Sequence, residues 1–255
     1  MLPDGTLPSL AALLAVFRSC FTAPGHRSFV ALVVGLVAQT RRRTVCGMLL
    51  GAGLERAWHH CRAHRFFSAS RWCPDAVGLV LCDLVVARLL PPGSAIIVVV
   101  DDTLFKRSGK KVVGVAWHHD GVAKGPKPIG FGNCWMIAGI IVQLPFLSRP
   151  LCLPVPARLW RPGRTGKIVF AREMVEAIAA RYPARMVHAV GDACGVRKVE
   201  LSADLVPAEN LVHTVQAACE YSWRTPPSRS RRRTFRSVIR LESVIGSGTA
   251  RSGAA

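Results

Sequence analysis

From Leu7 to about Leu90, apolar residues recur at helical spacing, interrupted at Pro24-Gly25 and Pro74 and closed by Pro91-Pro92-Gly93. This pattern predicts a helical N-terminal region over residues 1–92. After the Pro-Pro-Gly break the texture changes. Ala95-Ile96-Ile97-Val98-Val99-Val100 is a near-continuous β-branched run, the signature of a strand buried on both faces, and it ends in Asp101-Asp102-Thr103. Lys111 to Trp117 and Trp135 to Leu144 are the next strand candidates, joined as an antiparallel meander. Pro145 to Lys167, rich in Pro and Arg, reads as a loop. Ile168 to Arg181 suits an amphipathic helix through Val169, Phe170, Met174, Val175 and Ile178. Met186 to Val190 is a fourth strand, followed by Gly191-Asp192. Three strands, a helix and a strand make an α/β fold with a mixed sheet.

Charge narrows the function classes. Only 19% of the 255 residues are charged, yet 34 Lys+Arg against 15 Asp+Glu leave a formal +19. Such a balance suits a polyanionic partner, with nucleic acid first. Among the bases, Arg41-Arg42-Arg43 and the interleaved Arg, His and aromatic residues from Arg56 to Arg65 are suited to phosphate contact, with a solvated helix face as the plain alternative. The longest apolar runs fall short of the roughly 18 residues a membrane span needs, and no secretory signal is evident at the N-terminus. Nine cysteines without a C-x-x-C pair point to a reducing cytoplasm.

With so few acids, the position of each one carries information. Asp102, or its neighbour Asp101, follows the first strand, and Asp192 follows the fourth; ends of strands in open α/β sheets favour function. If those strands are neighbours, two carboxylates can share a hard divalent ion, for which Mg²⁺ is the natural candidate and Mn²⁺ the alternative. Adjacent strand residues point to opposite faces, so Asp101 and Asp102 cannot both hold one ion unless the strand has already ended, and of the two Asp102 is taken. The competing role for either Asp is to accept a turn hydrogen bond from a backbone amide.

Other motifs are weaker. Gly130-Phe131-Gly132 lacks the third Gly of a dinucleotide fingerprint, and Gly163-Arg164-Thr165-Gly166-Lys167 lacks the spacing of a P-loop. His59, His60, Cys61 and His64 raise zinc, but no second ligand pair stands at a finger spacing, so a zinc site is not expected.

Taken together, Gly35-Leu36-Val37-Ala38-Gln39-Thr40, Thr44-Val45-Cys46-Gly47-Met48-Leu49, Trp58-His59-His60, Asp101-Asp102-Thr103-Leu104-Phe105-Lys106, Trp117-His118-His119-Asp120-Gly121, Gly130-Phe131-Gly132-Asn133-Cys134-Trp135 and Val190-Gly191-Asp192 resemble a bacterial insertion-sequence transposase of the DDE superfamily. The likeness spans roughly residues 20 to 210.

That resemblance implies an RNase H-like catalytic domain behind a helical DNA-binding region. It also implies an enzyme, acting as a homodimer on terminal inverted repeats and target DNA, that cuts and joins phosphodiesters with three carboxylates and two Mg²⁺. By motif position Asp102 matches the first acid and Asp192 the second, with Asp101 beside them. Arg41, Arg42, Arg43, Arg62, Arg65, Lys106, Lys110 and Lys111 are the expected DNA contacts. The domains expected are 1–92, helical and DNA-binding; 93–215, a partial RNase H-like domain; and 216–255, a basic, disordered tail with eight Arg against one acid after residue 220. The third acid, a late Glu, has no match: Tyr221 and Arg224 hold the family's spacing, but position 228 is Ser. One shifted base within Gln216 to Glu220 can encode the Arg-Leu-Arg-Ala that the family has in this region, so a truncated or frameshifted chain with impaired cutting is expected. The alternatives are a non-catalytic DNA-binding remnant and, from another class, a basic structural or RNA-associated protein.

Overall fold

The computed structural model describes residues 8–40, 43–109, 111–120, 123, 126 and 128–191. Arg41, Arg42, Lys110, Asp192 and the whole tail from 216 lie outside the described residues.

Five helices come first: α1 (Pro8–Ala15), α2 (Ala23–Ala38), α3 (Val45–Gly51), α4 (His60–Ser68) and α5 (Pro74–Leu89). The sequence marks their starts chemically. Thr22 Oγ1 accepts the Gly25 N–H at 3.3 Å ahead of α2, which has Pro24 in its first turn, and Thr44 Oγ1 accepts the Gly47 N–H at 3.0 Å ahead of α3. Helices α2 and α3 touch backbone to backbone at Gly35, where a Cβ would stand 1.7 Å from the Met48 carbonyl oxygen. Leu32, Leu49, Ala63 and Phe66 form the buried centre of this region, flanked by Phe21 and Trp72. Trp72 stacks on Phe66 at 5.4 Å and donates its indole N–H to the Phe66 carbonyl at 3.0 Å, so its polar atom is satisfied.

The sheet comprises β1 (Ile96–Lys106), β2 (Val115–His119), β3 (Ile129–Val142), β4 (Leu151–Leu159) and β5 (Val187–Gly191), with α6 (Lys167–Arg181) between the last two strands. Its order is β2-β3-β1-β5, and β4 continues the β2 side of β3. The β1–β5 pair is parallel and the others antiparallel, so the sheet is mixed as the pattern predicts.

Three boundaries differ from expectation. First, β1 does not end at the Asp pair: β3 holds it in register from Val98↔Ile140 to Lys106↔Gly132, so the ladder overrides the polarity of Asp101 and Asp102. Second, β2 begins at Val115 rather than Lys111, after a turn through Gly114 at φ 75°. Third, β4 lies inside the stretch that reads as a loop. Its prolines, Pro154 and Pro156, cannot donate to a ladder, but among the described residues β4 pairs with β3 alone, and the register shifts beside Gly139↔Pro154.

One face of the sheet carries the helices. Ile96, Val98, Ala138, Ile140, Val187 and Ala189 pack against Met174, Val175 and Ile178 of α6 and against Cys82, Val85 and Val86 of α5. Thus α5 shares its core with the sheet. Gly78 allows its close approach to β4, since a Cβ there would meet the Pro156 Cα at 2.8 Å. Arg158 of β4 ties the layers together. Its guanidinium forks onto Asp75 of α5 at 2.9 and 3.2 Å and also binds Glu173 of α6. Among the described residues no helix is long and apolar enough to cross a membrane.

Candidate active site

Strand alternation sends Asp101 and Asp102 to opposite faces. Asp102 lies opposite Met136, and Met136 opposite Arg158, which places Asp102 on the helix-bearing face where the apolar core gives way to solvent.

Four other parts of the chain converge on Asp102 of β1. Lys167, the first residue of α6, donates its ammonium to Oδ2, and the Cys134 thiol of β3 donates to the same oxygen at 3.4 Å. Trp160, just past β4, lies under Lys167, whose Nζ is 5.2 Å from the ring centroid. His118 of β2 meets Trp160 edge-on at 5.3 Å.

The electrostatics follow from these contacts. Burial alone would raise the Asp102 carboxyl, but the hydrogen bond and charge of Lys167, helped by Cys134 and His118, hold it below the usual carboxylate range. For Lys167, burial opposes the charge, and Asp102 outweighs it and raises the ammonium above its ordinary value. Burial, then Asp102, pushes the Cys134 thiol up to about 11, so it is a neutral donor at pH 7. Burial first, and Lys167 second, lower the His118 imidazole, which is neutral there too.

Asp101 has the other of the two roles open to it. Its Oδ1 accepts the Asp102 backbone N–H at 2.8 Å, and its charge acts on Cys152, across the opposite face. On the far side of β1, Gly191 is in parallel register with Val100. Gly191 is therefore the last described residue of β5, two positions in register before Asp102, while Asp192 lies outside the described residues.

The side chains at hand suit a hard divalent cation. The Asp102 carboxylate, with 44% of its side chain exposed, already carries a cation in the form of the Lys167 ammonium. Beside it, His118 Nε2 is buried with no hydrogen-bond partner among the described residues. Lys167, Cys134, His118 and Trp160 are the residues that reading the sequence missed. Signals were available: His118 and Cys134 stand within the stretches Trp117–Gly121 and Gly130–Trp135 that carry the family resemblance, and Lys167 is one of only seven lysines in the chain, placed after Gly166 at the opening of a predicted helix.

The basic residues divide by exposure and partner. Arg43, Arg62, Arg65, Lys106 and Lys111 are exposed, whereas Arg41, Arg42 and Lys110 lie outside the described residues. Arg62 and Arg65 stand on the outer side of α4, whose Ala63 and Phe66 face the core, and Arg62 lies 3.7 Å over the Trp58 ring. Lys106 bonds Asp120 at 2.6 Å.

No curated protein and no solved structure matches the chain. A family model described as DDE superfamily endonuclease does match, over residues 16–191, a span that runs from the N-terminal helices through β1 and the Asp102 cluster to the last residue of β5. With well over half of its length matched, the chain belongs to the DDE superfamily endonucleases.

Proposed function

We propose that this endonuclease is a DNA transposase that cuts and joins element-end phosphodiesters, with Asp102 and Asp192 as its metal-holding acids. The mixed α/β fold is consistent with the RNase H-like domain of the superfamily, and enzymes of this superfamily generally use divalent metal ions. The observation that carries the reading is the parallel β1–β5 pair: Gly191, directly before Asp192 in sequence, lies in register with Val100, directly before the Asp pair. Chain continuation on two neighbouring parallel strands favours a meeting of the two acids at one edge of the sheet. Asp101 is left out of the set because it faces the other way.

Asp102 and Asp192 would hold Mg²⁺, or Mn²⁺ in its place. A bound ion would supply positive charge against the charge that builds on the phosphate and lower the pKa of an attacking water or 3′-hydroxyl. The chain's own groups do the rest. Asp102 is ionised at neutral pH because Lys167 keeps its carboxyl depressed, so no proton has to leave before a cation binds. Lys167, resting against Trp160, remains beside the site as a cation able to bind a phosphate oxygen. Neutral His118 can accept a proton at Nε2. Exposed Arg43, Arg62, Arg65, Lys106 and Lys111, with Arg41, Arg42 and Lys110, are the proposed phosphate contacts along the DNA. Dimeric action on paired DNA ends, in the cytoplasm, goes with this reading.

The second reading, a DNA-binding remnant that does not cut, is favoured by the fate of the nearby acids. Asp75 and Glu173 are both bound to Arg158, and Asp120 is bound to Lys106. Nicking of supercoiled DNA with Mg²⁺ separates the two. The transposase reading expects cutting that falls about 100-fold or more in Asp102→Ala and in Asp192→Ala. Equal background in all three proteins establishes the remnant.

A further inference from the structure

The outer side of α4 concentrates soft donors away from Asp102. His59, the residue that caps α4, contributes its Nδ1 as acceptor of the Cys61 N–H at 3.3 Å, and His60, Cys61 and His64 follow on the helix. One donor atom from each of His59, His60 and Cys61 can be chosen so that all three lie within 4.8 Å of one another. His60 and His64 are a helical turn apart with ring centroids at 6.2 Å, the i,i+4 pairing that places two imidazoles on one side of a helix. The sequence lacks a second ligand pair at finger spacing; in the fold, α3 brings Cys46 Sγ to 3.9 Å from His64 Nε2 beside this cluster.

We propose that His59, His60 and Cys61 form a three-ligand transition-metal site of the Zn²⁺ class at the start of α4, with water completing the coordination, chemically distinct from the carboxylate site. The distances carry the argument. In a tetrahedral site with ordinary Zn–N and Zn–S bonds, a nitrogen and a sulfur ligand stand about 3.6 Å apart. Cys61 Sγ and His60 Nε2 are 3.6 Å apart before any metal is considered. Imidazole and thiolate select zinc-like ions, whereas Mg²⁺ prefers oxygen, so the two sites would not compete for one ion. Binding deprotonates the Cys61 thiol, and the proton passes to solvent as the sulfur–metal bond forms. All three residues are exposed, so an ion reaches them without unfolding. The neighbouring Arg62 has its guanidinium over Trp58, and the added charge would reinforce the basic side of α4 that carries Arg62 and Arg65.

Co²⁺ reads this site directly, because a thiolate ligand gives it a charge-transfer absorption. Titrating the full chain with Co²⁺, in excess Mg²⁺ and under reducing conditions, should develop that band at one equivalent. Cys61→Ser should abolish it and weaken Co²⁺ binding at least about tenfold, while Cys152→Ser, an exposed thiol on β4, should keep it. Circular dichroism confirms that each variant is folded. Absence of the band in the wild-type chain, its survival in Cys61→Ser, or its loss in Cys152→Ser overturns the proposal.

Discussion

Lys167 and Asp102, 65 positions apart in sequence, meet as an ion pair because α6 begins where β1 emerges from the apolar core. The pair holds the place of a cation on the carboxylate proposed to bind metal. It also makes a pH-dependent contribution with a definite sign.

The Asp102 carboxyl is depressed in the folded state, so its contribution is complete above the unfolded pKa and is lost as pH falls through the folded one. The Lys167 ammonium is raised, so its contribution is complete below its unfolded pKa and is lost as pH rises through the folded one. The pair is half-exposed, and about 0.5 kcal/mol is the expected scale. Urea melts should find Asp102→Asn less stable than wild type by about that amount at neutral pH. The gap should close in acid, below the depressed carboxyl. A gap that does not change with pH contradicts this account.

Freed of Lys167, the Asp102 carboxyl should titrate higher. Carboxyl NMR on Lys167→Met should show an upward shift, since burial alone then acts on it together with the weaker help of Cys134 and His118. No shift would mean that the ion pair does not set the state of Asp102.

Gly35 tests the packing of the helical region. Alanine there would drive a methyl into the Met48 carbonyl, and the helices can yield only by separating. Gly35→Ala should cost about 1–3 kcal/mol in a urea or thermal melt. The same change at Gly53, where a Cβ would meet nothing within 4 Å, is a control that isolates positive-φ strain from overpacking.

Arg158 tests the joint between layers. Arg158→Met leaves Asp75 and Glu173 without their shared base; both carboxylates are more than a third exposed, so water screens the loss to about 0.5–1 kcal/mol. Asp75→Asn in the Arg158→Met background should recover part of that loss in a denaturation double-mutant cycle, because one uncompensated carboxylate is then removed.

Salt dependence tests the basic surface. Binding of duplex DNA should weaken steeply with salt, and each of Arg62→Ala and Arg65→Ala should lower the log–log slope by about 1 if that residue neutralises a phosphate. Unchanged slopes would assign those residues to the solvated helix face instead.

Much of this fold is legible in the chain because it is written in local patterns. The Ile96–Val100 run, the α6 periodicity and the fourth strand each name their element directly. β4 is illegible because Pro154 and Pro156 argue against a strand, and only the neighbouring edge of β3 makes it one. The end of β1 is misread for the converse reason: acids at 101 and 102 look like a terminus, but the ladder to β3 is set by backbone atoms that do not register side-chain polarity. At the site, Asp102 is legible as an acid directly after a buried apolar run. Lys167, Cys134 and His118 are not, since their roles come from a convergence of separate strands and a helix that no local window contains.

The claim on which the rest depends is that Asp102 and Asp192 flank one ion. Fe²⁺ in place of Mg²⁺, with ascorbate and peroxide, cuts a polypeptide next to the metal it replaces, and mapping those cuts by mass spectrometry tests the claim without DNA or turnover. The account predicts two clusters of cuts, one around residue 102 and one around residue 192, both suppressed by excess Mg²⁺. Mg²⁺-sensitive cuts at one of the two positions without the other, or at neither, would contradict it.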